Sequence, residues 1–406
     1  MGTQLTIVMI SMHTSPLARP GQGDAGGLNV YIRNLTEGLI RAGHQVLSFT
    51  RKTAATDHIV ELDQVTGSKV IPLSVGRLSL PKEALDQLTA QFADDLVRGV
   101  EQYAKHPVVL HSHYWLSGMV AHQATLQLNA PIVHTMHTLG ATKNSSAPGT
   151  EPPYRIEREA FICAQAQVVT ANTLVEKQEL IHHTRVAPQR VEIVHPGVDH
   201  EIFHPNGASV WPGRVADTAP RILFAGRQQR YKGPHVLLQA LATLRDRGFH
   251  TLPVVHFTGA VSGSSDYDLH AKAHLLGVAP WCSFSAPVNP EKLASYMRAA
   301  DVVVMPSVTE SFGLVAVEAQ ACGTPVLAHK AGGLTTAVAD GFSGQLVDSL
   351  DAVAWADALE TVVEDPQRWR DYGVAGVHHS AQFSWSAMAE RMVEIYSSSV
   401  TAATSL

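Results

Sequence analysis

The sequence predicts an α/β protein of two doubly wound domains that face each other across a cleft. Three observations predict it. Short, nearly unbroken apolar runs recur along the chain, as expected of strands covered on both faces of a parallel sheet. Between them lie segments with apolar residues at helical spacing, several closed by glycine. Proline, glycine and polar residues cluster between His195 and Pro220, dividing 406 residues into two lengths that can each bury a core. The expected domains are residues 1–200 and 201–384. Residues 385–406 form a C-terminal helix expected to pack back towards the N-terminal domain.

The composition is that of a soluble globular chain: 45% hydrophobic, 16% charged, formal net charge −6. No lysine- or arginine-rich run favours nucleic acid. No apolar stretch approaches the ~20 residues that span a bilayer, so no membrane insertion is expected. Cys163, Cys282 and Cys322 are odd in number and widely spaced, which argues against a disulfide framework or a zinc site. They read as buried, reduced thiols of a cytoplasmic protein. Met1 to Ser11 lacks basic residues before its apolar run and reads as a first strand, not a signal peptide.

Leu5 to Ser11 is that strand, followed by a long loop, Met12 to Gly27. Leu28, Ile32, Leu35 and Leu39 then mark a helix that Gly43 ends, and Gln45 to Thr50 is the second strand. Gly21-Gln-Gly-Asp-Ala-Gly26 matches G-x-G-x-x-G literally, but a dinucleotide site needs those glycines directly after strand one and an acidic residue ending strand two. Here nine residues intervene and strand two runs into Arg51-Lys52, so the segment reads as a glycine-rich flap over small substrates. Lys69 to Ser74 is a further strand, and Pro81 opens a long helix with Leu85, Leu88, Phe92, Leu96 and Tyr103 on one face. Lys82, in its first turn, opposes the helix dipole. It is either a solvated surface lysine or a cation placed for a ligand.

Val108 to Gly118 reads as strand, loop and helix, and Pro131 to Leu139 as a strand with a polar end. His111 and His113 share a strand face, but no third ligand stands near enough for a metal. His13, Tyr114, His137 and Thr138 all fall at carboxyl ends of strands, where open α/β sheets bind ligands. Asn144 to Pro153 reads as a loop, Arg155 to Glu159 as the start of a helix, and Gln167 to Asn172 and Val191 to His195 as strands.

The second half opens with the strand before Gly226; Arg227 and Lys232 follow in its loop, two cations suited to a diphosphate. Arg230 is a third cation. Strands follow at Pro253 to Gly259, Cys282 to Ala286, Asp301 to Ser307, Pro325 to Lys330 and Gly344 to Asp348. Asp266-Tyr-Asp268 could hold a metal but better caps the helix with Leu269 and Leu275. Asp351 to Glu364 and Trp385 to Ser398 read as helices. Glu310-Ser-Phe-Gly-Leu-Val-Ala-Val-Glu318 joins a buried strand to a helix that Gly323 ends. Gly313 allows close backbone approach, and the helix's first free N–H groups suit an anion. Glu310 and Glu318 are acceptors for sugar hydroxyls, so the segment suits a nucleotide sugar.

This Glu-x7-Glu segment after a strand resembles the family 4 retaining glycosyltransferases of GT-B fold, whose two domains are Rossmann-like. The resemblance covers almost the whole chain. Ser11 to Leu17, Gly23 to Tyr31, His111 to Gly118 and His134 to Leu139 look like motifs of the mycothiol-pathway branch. That branch joins N-acetylglucosamine from a UDP donor to an inositol phosphate. The resemblance implies that His13, Asp24, Gly26, Gly27, Asn29, Lys82, Tyr114, Thr138 and Arg155 surround the acceptor, with Lys82, Tyr114, Thr138 and Arg155 on its phosphate. It implies that Gly27, Arg227, Lys232, Glu310, Ser311, Phe312, Gly313, Leu314 and Glu318 bind the donor. Arg227, Lys232, His137 and Glu310 would carry the catalysis, with His137 contacting the donor sugar and the leaving phosphate taking the acceptor's proton.

The resemblance implies no required cofactor beyond the nucleotide-sugar donor; magnesium is compatible but not essential, and a homodimer stays open. Departures fall mainly on the donor side. Arg227-Gln-Gln-Arg-Tyr-Lys232 lacks a proline expected before its last two positions, Phe257 to Gly263 differs from the family pattern, and Val288 stands where relatives carry Arg or Gln. They leave the donor base open between uracil and guanine. Alternatives are a paralogue of an antibiotic pathway, acting on an aminocyclitol or a small thiol, and a sucrose-phosphate-synthase-like enzyme, which the opening Arg155-Ile-Glu-Arg-Glu159 resembles. A sugar-nucleotide 2-epimerase is the distant alternative.

Overall fold

The structure is a computed structural model describing residues 3–18, 26–146, 149–213, 219–249, 251–261 and 267–404. It divides into two compact units. One runs as far as His195 and takes up the chain again from Trp385; the other is Pro196–Ser384.

In the first unit, β1 (Thr6–Ile10), β2 (Gln45–Arg51), β3 (Val60–Asp63), β4 (Ser68–Leu73), β5 (Val108–His113), β6 (Ile132–Thr135), β7 (Val168–Ala171) and β8 (Val191–Ile193) form one sheet. Its order is β3-β4-β2-β1-β5-β6-β7-β8. Every pairing is parallel except β3 with β4. All residues of β1 are buried, which is why the strand reads as a continuous apolar run. The order reverses between β1 and β5, where Ile10 pairs with Ser112, so the residues after both strands emerge at one switch point.

The second unit holds β9 (Arg221–Ala225), β10 (Val254–Thr258), β11 (Cys282–Ser285), β12 (Val302–Met305), β13 (Val326–His329) and β14 (Gly344–Val347), all parallel. Their order, β11-β10-β9-β12-β13-β14, reverses between β9 and β12. The loops carrying Arg227 to Lys232 and Ser307 to Gly313 leave from those two strands.

The helix Trp385–Thr404 packs in the first unit against β5, β6 and the helix Gly27–Arg41. Contact with that helix is close because Gly38 has no side chain: a Cβ there would lie 2.6 Å from the Ala389 Cβ. The Tyr396 hydroxyl lies 2.6 Å from His111 Nδ1, and Gln167 Nε2 donates to the Ser399 carbonyl at 3.2 Å.

Several expectations need correction. The long helix from Pro81 is a 3-10 turn, Lys82–Leu88, followed by an α-helix, Thr89–Tyr103. The break comes where the Thr89 hydroxyl donates to the Asp86 carbonyl at 3.0 Å. Asn144 to Ser146 belong to a short helix, Gly140–Ser146, rather than to a loop; Asn144 ties it to Glu151 through Nδ2 to the Glu151 carbonyl and Oδ1 from the Glu151 N–H. All three cysteines are free, but Cys282 is only partly buried because it starts the edge strand β11. Asp268 does cap its helix, accepting from the Ala271 N–H at 3.0 Å; Asp266 lies outside the described residues.

Candidate active site

At the switch point of the first sheet, the backbone is strained in two places. Four described residues other than glycine have positive φ: Asn129 and Arg185 are helix C-caps, where the left-handed conformation is common. The other two are Tyr114, at φ 72° directly after β5, and His137, at φ 62° just beyond β6. Such strain costs about 1–3 kcal/mol and concentrates at functional sites.

The buried Tyr114 ring is the centre of a compact cluster. Lys82 Nζ and Arg155 Cζ each lie 4.8 Å from its centroid, within cation–π range, and the His13 ring centroid is 4.7 Å away. Arg155, 2% exposed, donates through Nη2 to both the carbonyl and the hydroxyl of Thr138 at 3.0 Å. Its Nε donates to Glu159 Oε1 at 2.7 Å, and Nη1 lies 2.6 Å from Glu151 Oε1. Glu159 also accepts from the Gly140 N–H at 2.9 Å, and Glu151 pairs with Lys143 at 2.8 Å. Burial lifts the Glu159 carboxyl above the usual range despite Arg155. Burial, followed by the charges of Lys82, His137 and Arg155, lowers His13 to about 3, so its imidazole is neutral.

His13, Lys82, Tyr114, Thr138 and Arg155 are therefore brought together. The two carboxylates on Arg155 were not anticipated, although Glu151 and Glu159 stand four residues on either side of it. They hold the guanidinium edge against Tyr114 and absorb part of its charge. Asn29 has another task. Its Nδ2 donates to the Thr14 hydroxyl at 2.8 Å and the Ser15 carbonyl at 2.6 Å, and its Oδ1 accepts from the Gly26 N–H at 2.9 Å. Both amide hydrogens thus fasten the loop after β1 to the start of the helix Gly27–Arg41. Gly26 caps that helix and Gly27 begins it; Asp24 lies outside the described residues.

In the second unit, the loops after β9 and β12 meet closely. Lys232 Nζ donates to both Glu310 oxygens at 2.6 Å, and Ser307 Oγ donates to Glu310 Oε1 at 2.8 Å. Gly233, at φ 71°, makes this approach feasible: a Cβ there would overlap the Pro306 carbonyl. Gly313, at φ 103°, caps the helix Leu314–Ala321. Ser311 stands before it, and the buried Phe312 packs edge-on to Phe383, ring centroids 5.2 Å apart. Glu318 follows one turn inside the helix, half-buried, and burial pushes its carboxyl up to about 7. Arg227, half-buried at the end of β9, makes no ion pair among the described residues. Arg230 is drawn to the Tyr267 ring, 5.8 Å from its centroid. No group of three His, Cys, Asp or Glu suited to a metal is found among the described residues, and no helix is long and apolar enough to cross a membrane.

A switch-point cluster of two cations, a phenol and a hydroxyl, and a second of cations beside a capped helix and two carboxylates, suit phosphorylated sugars. Known proteins of similar sequence agree. Residues 25–202 match the model "Glycosyltransferase Family 4" and residues 209–377 match "Glycosyl transferases group 1". The chain is 39% identical over 401 residues to the D-inositol 3-phosphate glycosyltransferase of Arthrobacter sp. (strain FB24), covering 97% of this chain and 95% of that one. It is 42% identical over 410 residues to the protein of that name from Nocardioides sp., covering 96% and 89%. Among solved structures, sucrose-phosphate synthase from Thermosynechococcus elongatus is 30% identical, with a TM-score of 0.85 over 98% of this chain and 100% of that one. Anabaena HepE in complex with UDP-glucose, 20% identical with a TM-score of 0.75 over 97% and 99%, shares the fold. The chain is a glycosyltransferase, a member of family 4 with the two Rossmann-like domains of the GT-B fold.

Proposed function

We propose that the enzyme transfers N-acetylglucosamine from UDP-N-acetylglucosamine to an inositol phosphate, with retention at the anomeric carbon. The carrying observation is the convergence of Lys82, Arg155 and Thr138 on Tyr114. A phosphate monoester there meets an ammonium, a guanidinium edge and two hydroxyls, and His13 stands beside it as a neutral partner for a polyol hydroxyl. The names of the relatives point to the same acceptor.

In this reading the second unit holds the donor. Breaking the sugar–phosphate bond builds negative charge on the leaving diphosphate, which Arg227, Lys232 and the helix N-terminus at Gly313 stabilise. Lys232 is paired with Glu310; in this reading the diphosphate takes over part of the ammonium while Glu310 turns to a sugar hydroxyl. Glu318 accepts from the ribose. His137 contacts the transferred sugar, and the leaving phosphate takes the acceptor's proton on the same face. The partners are small molecules and the setting is the cytoplasm.

Mixing the enzyme with UDP-N-acetylglucosamine and inositol phosphate should release UDP and give an α-configured product by NMR. No UDP release with that pair, or a β-product, would overturn the proposal. The likeness to sucrose-phosphate synthase supports a second reading, a sugar phosphate as acceptor. A panel of phosphorylated sugars and polyols separates the two, and a thermal-shift series with UDP and GDP separates the bases.

A further inference from the structure

Lys82 is carried by a segment that holds itself poorly. Lys82–Leu88 is a 3-10 helix of seven residues; runs longer than three or four are uncommon, because their hydrogen-bond geometry is poor. Leu85 is its one buried residue. Asp86 and Arg158, 3.1 Å apart, tie it to the helix Pro153–Gln165, but both side chains are partly exposed and such pairs contribute little. The Lys82 ammonium nevertheless sits 4.8 Å from the centre of the Tyr114 ring. A long, flexible stem keeps that place only where its backbone has a fixed start.

Arg51 supplies that start. It ends β2 and is 4% exposed. Its own backbone is fixed on two sides. The Arg51 N–H donates to the Met12 carbonyl at 3.3 Å, beside His13, and the Lys52 N–H donates to the Leu73 carbonyl at 2.9 Å, at the end of β4. From this base the guanidinium reaches the loop before Lys82. Nη1 donates to the carbonyls of Lys52 at 3.1 Å and Arg77 at 3.0 Å, and Nη2 to the carbonyl of Leu80 at 3.4 Å. The Arg77 carbonyl also accepts from the Leu80 N–H at 3.2 Å, so the guanidinium closes a turn. Pro81 follows directly, its φ of −69° set by its ring, and the 3-10 helix begins at Lys82. Nε has no hydrogen-bond partner, and among the described residues the group bonds to main-chain carbonyls and to no carboxylate. Holding those carbonyls is therefore its whole task.

We propose that Arg51 is a positioning residue for the acceptor: through the carbonyls of Arg77 and Leu80 it fixes the start of the Lys82 segment, and with it the place of the ammonium beside Tyr114. All of these groups belong to the first unit. The inference rests on Lys82 meeting the acceptor phosphate under the proposed function. Arginine suits the task because its flat fork stays charged when buried and spans carbonyls of different residues, which a lysine ammonium cannot do. Without the fork, the Leu80 carbonyl loses its donor and residues 77–82 are released. The phosphate is held alike before and during transfer, so the loss falls on acceptor affinity rather than on turnover.

Amide hydrogen exchange without substrate reads the anchoring alone. Arg51→Met keeps the stem and removes the fork. It should speed exchange across residues 77–88 while β1, β2 and β5 keep their protection; unchanged rates in 77–88 overturn the proposal whatever the substrate. Kinetics read the consequence. Lys82→Ala should raise the KM for inositol phosphate roughly ten- to a hundredfold, the worth of a hydrogen bond to a charged group. Arg51→Met should raise it roughly five- to tenfold with kcat little moved. In the double variant the Arg51 change should add nothing, since no ammonium is left to place. A further rise of the same size there, or an unmoved KM in Arg51→Met while Lys82→Ala raises it, ends the proposal. Should Arg51→Met not fold, Arg51→Lys carries the same cycle, and a wild-type KM in that variant overturns the proposal. An unmoved KM in Lys82→Ala, or no transfer to any phosphorylated acceptor, faults the proposed function alone; the exchange rates then decide the anchoring.

Discussion

Lys232 and Glu310, which the proposed function places at the donor, form a close ion pair. Each neutralises the other, with side chains 23% and 14% exposed. Lys232→Ala removes the cation expected at the leaving diphosphate and strands the carboxylate, so turnover should fall by ~10²–10³. Acceptor binding should be preserved, as titration calorimetry with inositol phosphate would record; unchanged turnover would remove Lys232 from the chemistry. Glu318 offers a test tied to pH. Its carboxyl is raised from 4.5 to about 7 by burial, so the folded state holds this proton more tightly than the unfolded one. The stability it contributes is full below about pH 4.5 and is lost as pH rises towards 7. Glu318→Gln cannot ionise, so melting curves should show the variant gaining on the wild type across that interval; parallel curves would refute the burial argument. His13, Tyr114, His137, Thr138, Arg227 and Glu310 were legible in sequence because each lies just beyond a strand, whereas Lys82 and Arg155 sit on helices and entered through the family resemblance. The links between them were not. His113 and His137 are 24 positions apart, and only the pairing of β5 with β6 makes them neighbours.

Among elements, the two central sheets were readable and the edges and connecting helices less so. β1, β9 and β12 announce themselves as apolar runs because both their faces are covered. β3 does not, since Val60-Glu-Leu-Asp63 pairs on one side only and exposes its charges. Nor did three helices that begin at side-chain caps on Thr173, Asn289 and Asp365. Each of those caps accepts from an N–H three residues on, a pattern visible in sequence to a search for caps rather than for apolar periodicity. The short 3-10 helix Arg230–Lys232 depends on one such local feature, the left-handed Gly233 pressed on the Pro306 carbonyl. Gly233→Ala imposes both the unfavourable backbone and the overlap. It should cost at least ~2 kcal/mol and lower the calorimetric melting temperature by several degrees; a neutral result would mean the β9 and β12 loops can separate without penalty.

For the molecule as a whole, the notable fact is that the first unit is assembled from two separate lengths of chain. The helix Trp385–Thr404 supplies the Tyr396 hydroxyl to His111 and covers the face of Gly27–Arg41 opened by Gly38. A chain ending at Ser384 should show faster amide hydrogen exchange in β5, β6 and Gly27–Arg41 while β9 to β14 keep their protection; equal protection throughout would show the helix to be dispensable. This arrangement also dictates a sequence of events at the ribosome. The opening sheet leaves the exit tunnel early but must wait, with an apolar flank open to water, while the whole of Pro196–Ser384 is translated. A nascent chain stalled anywhere in that interval is a natural client for a chaperone.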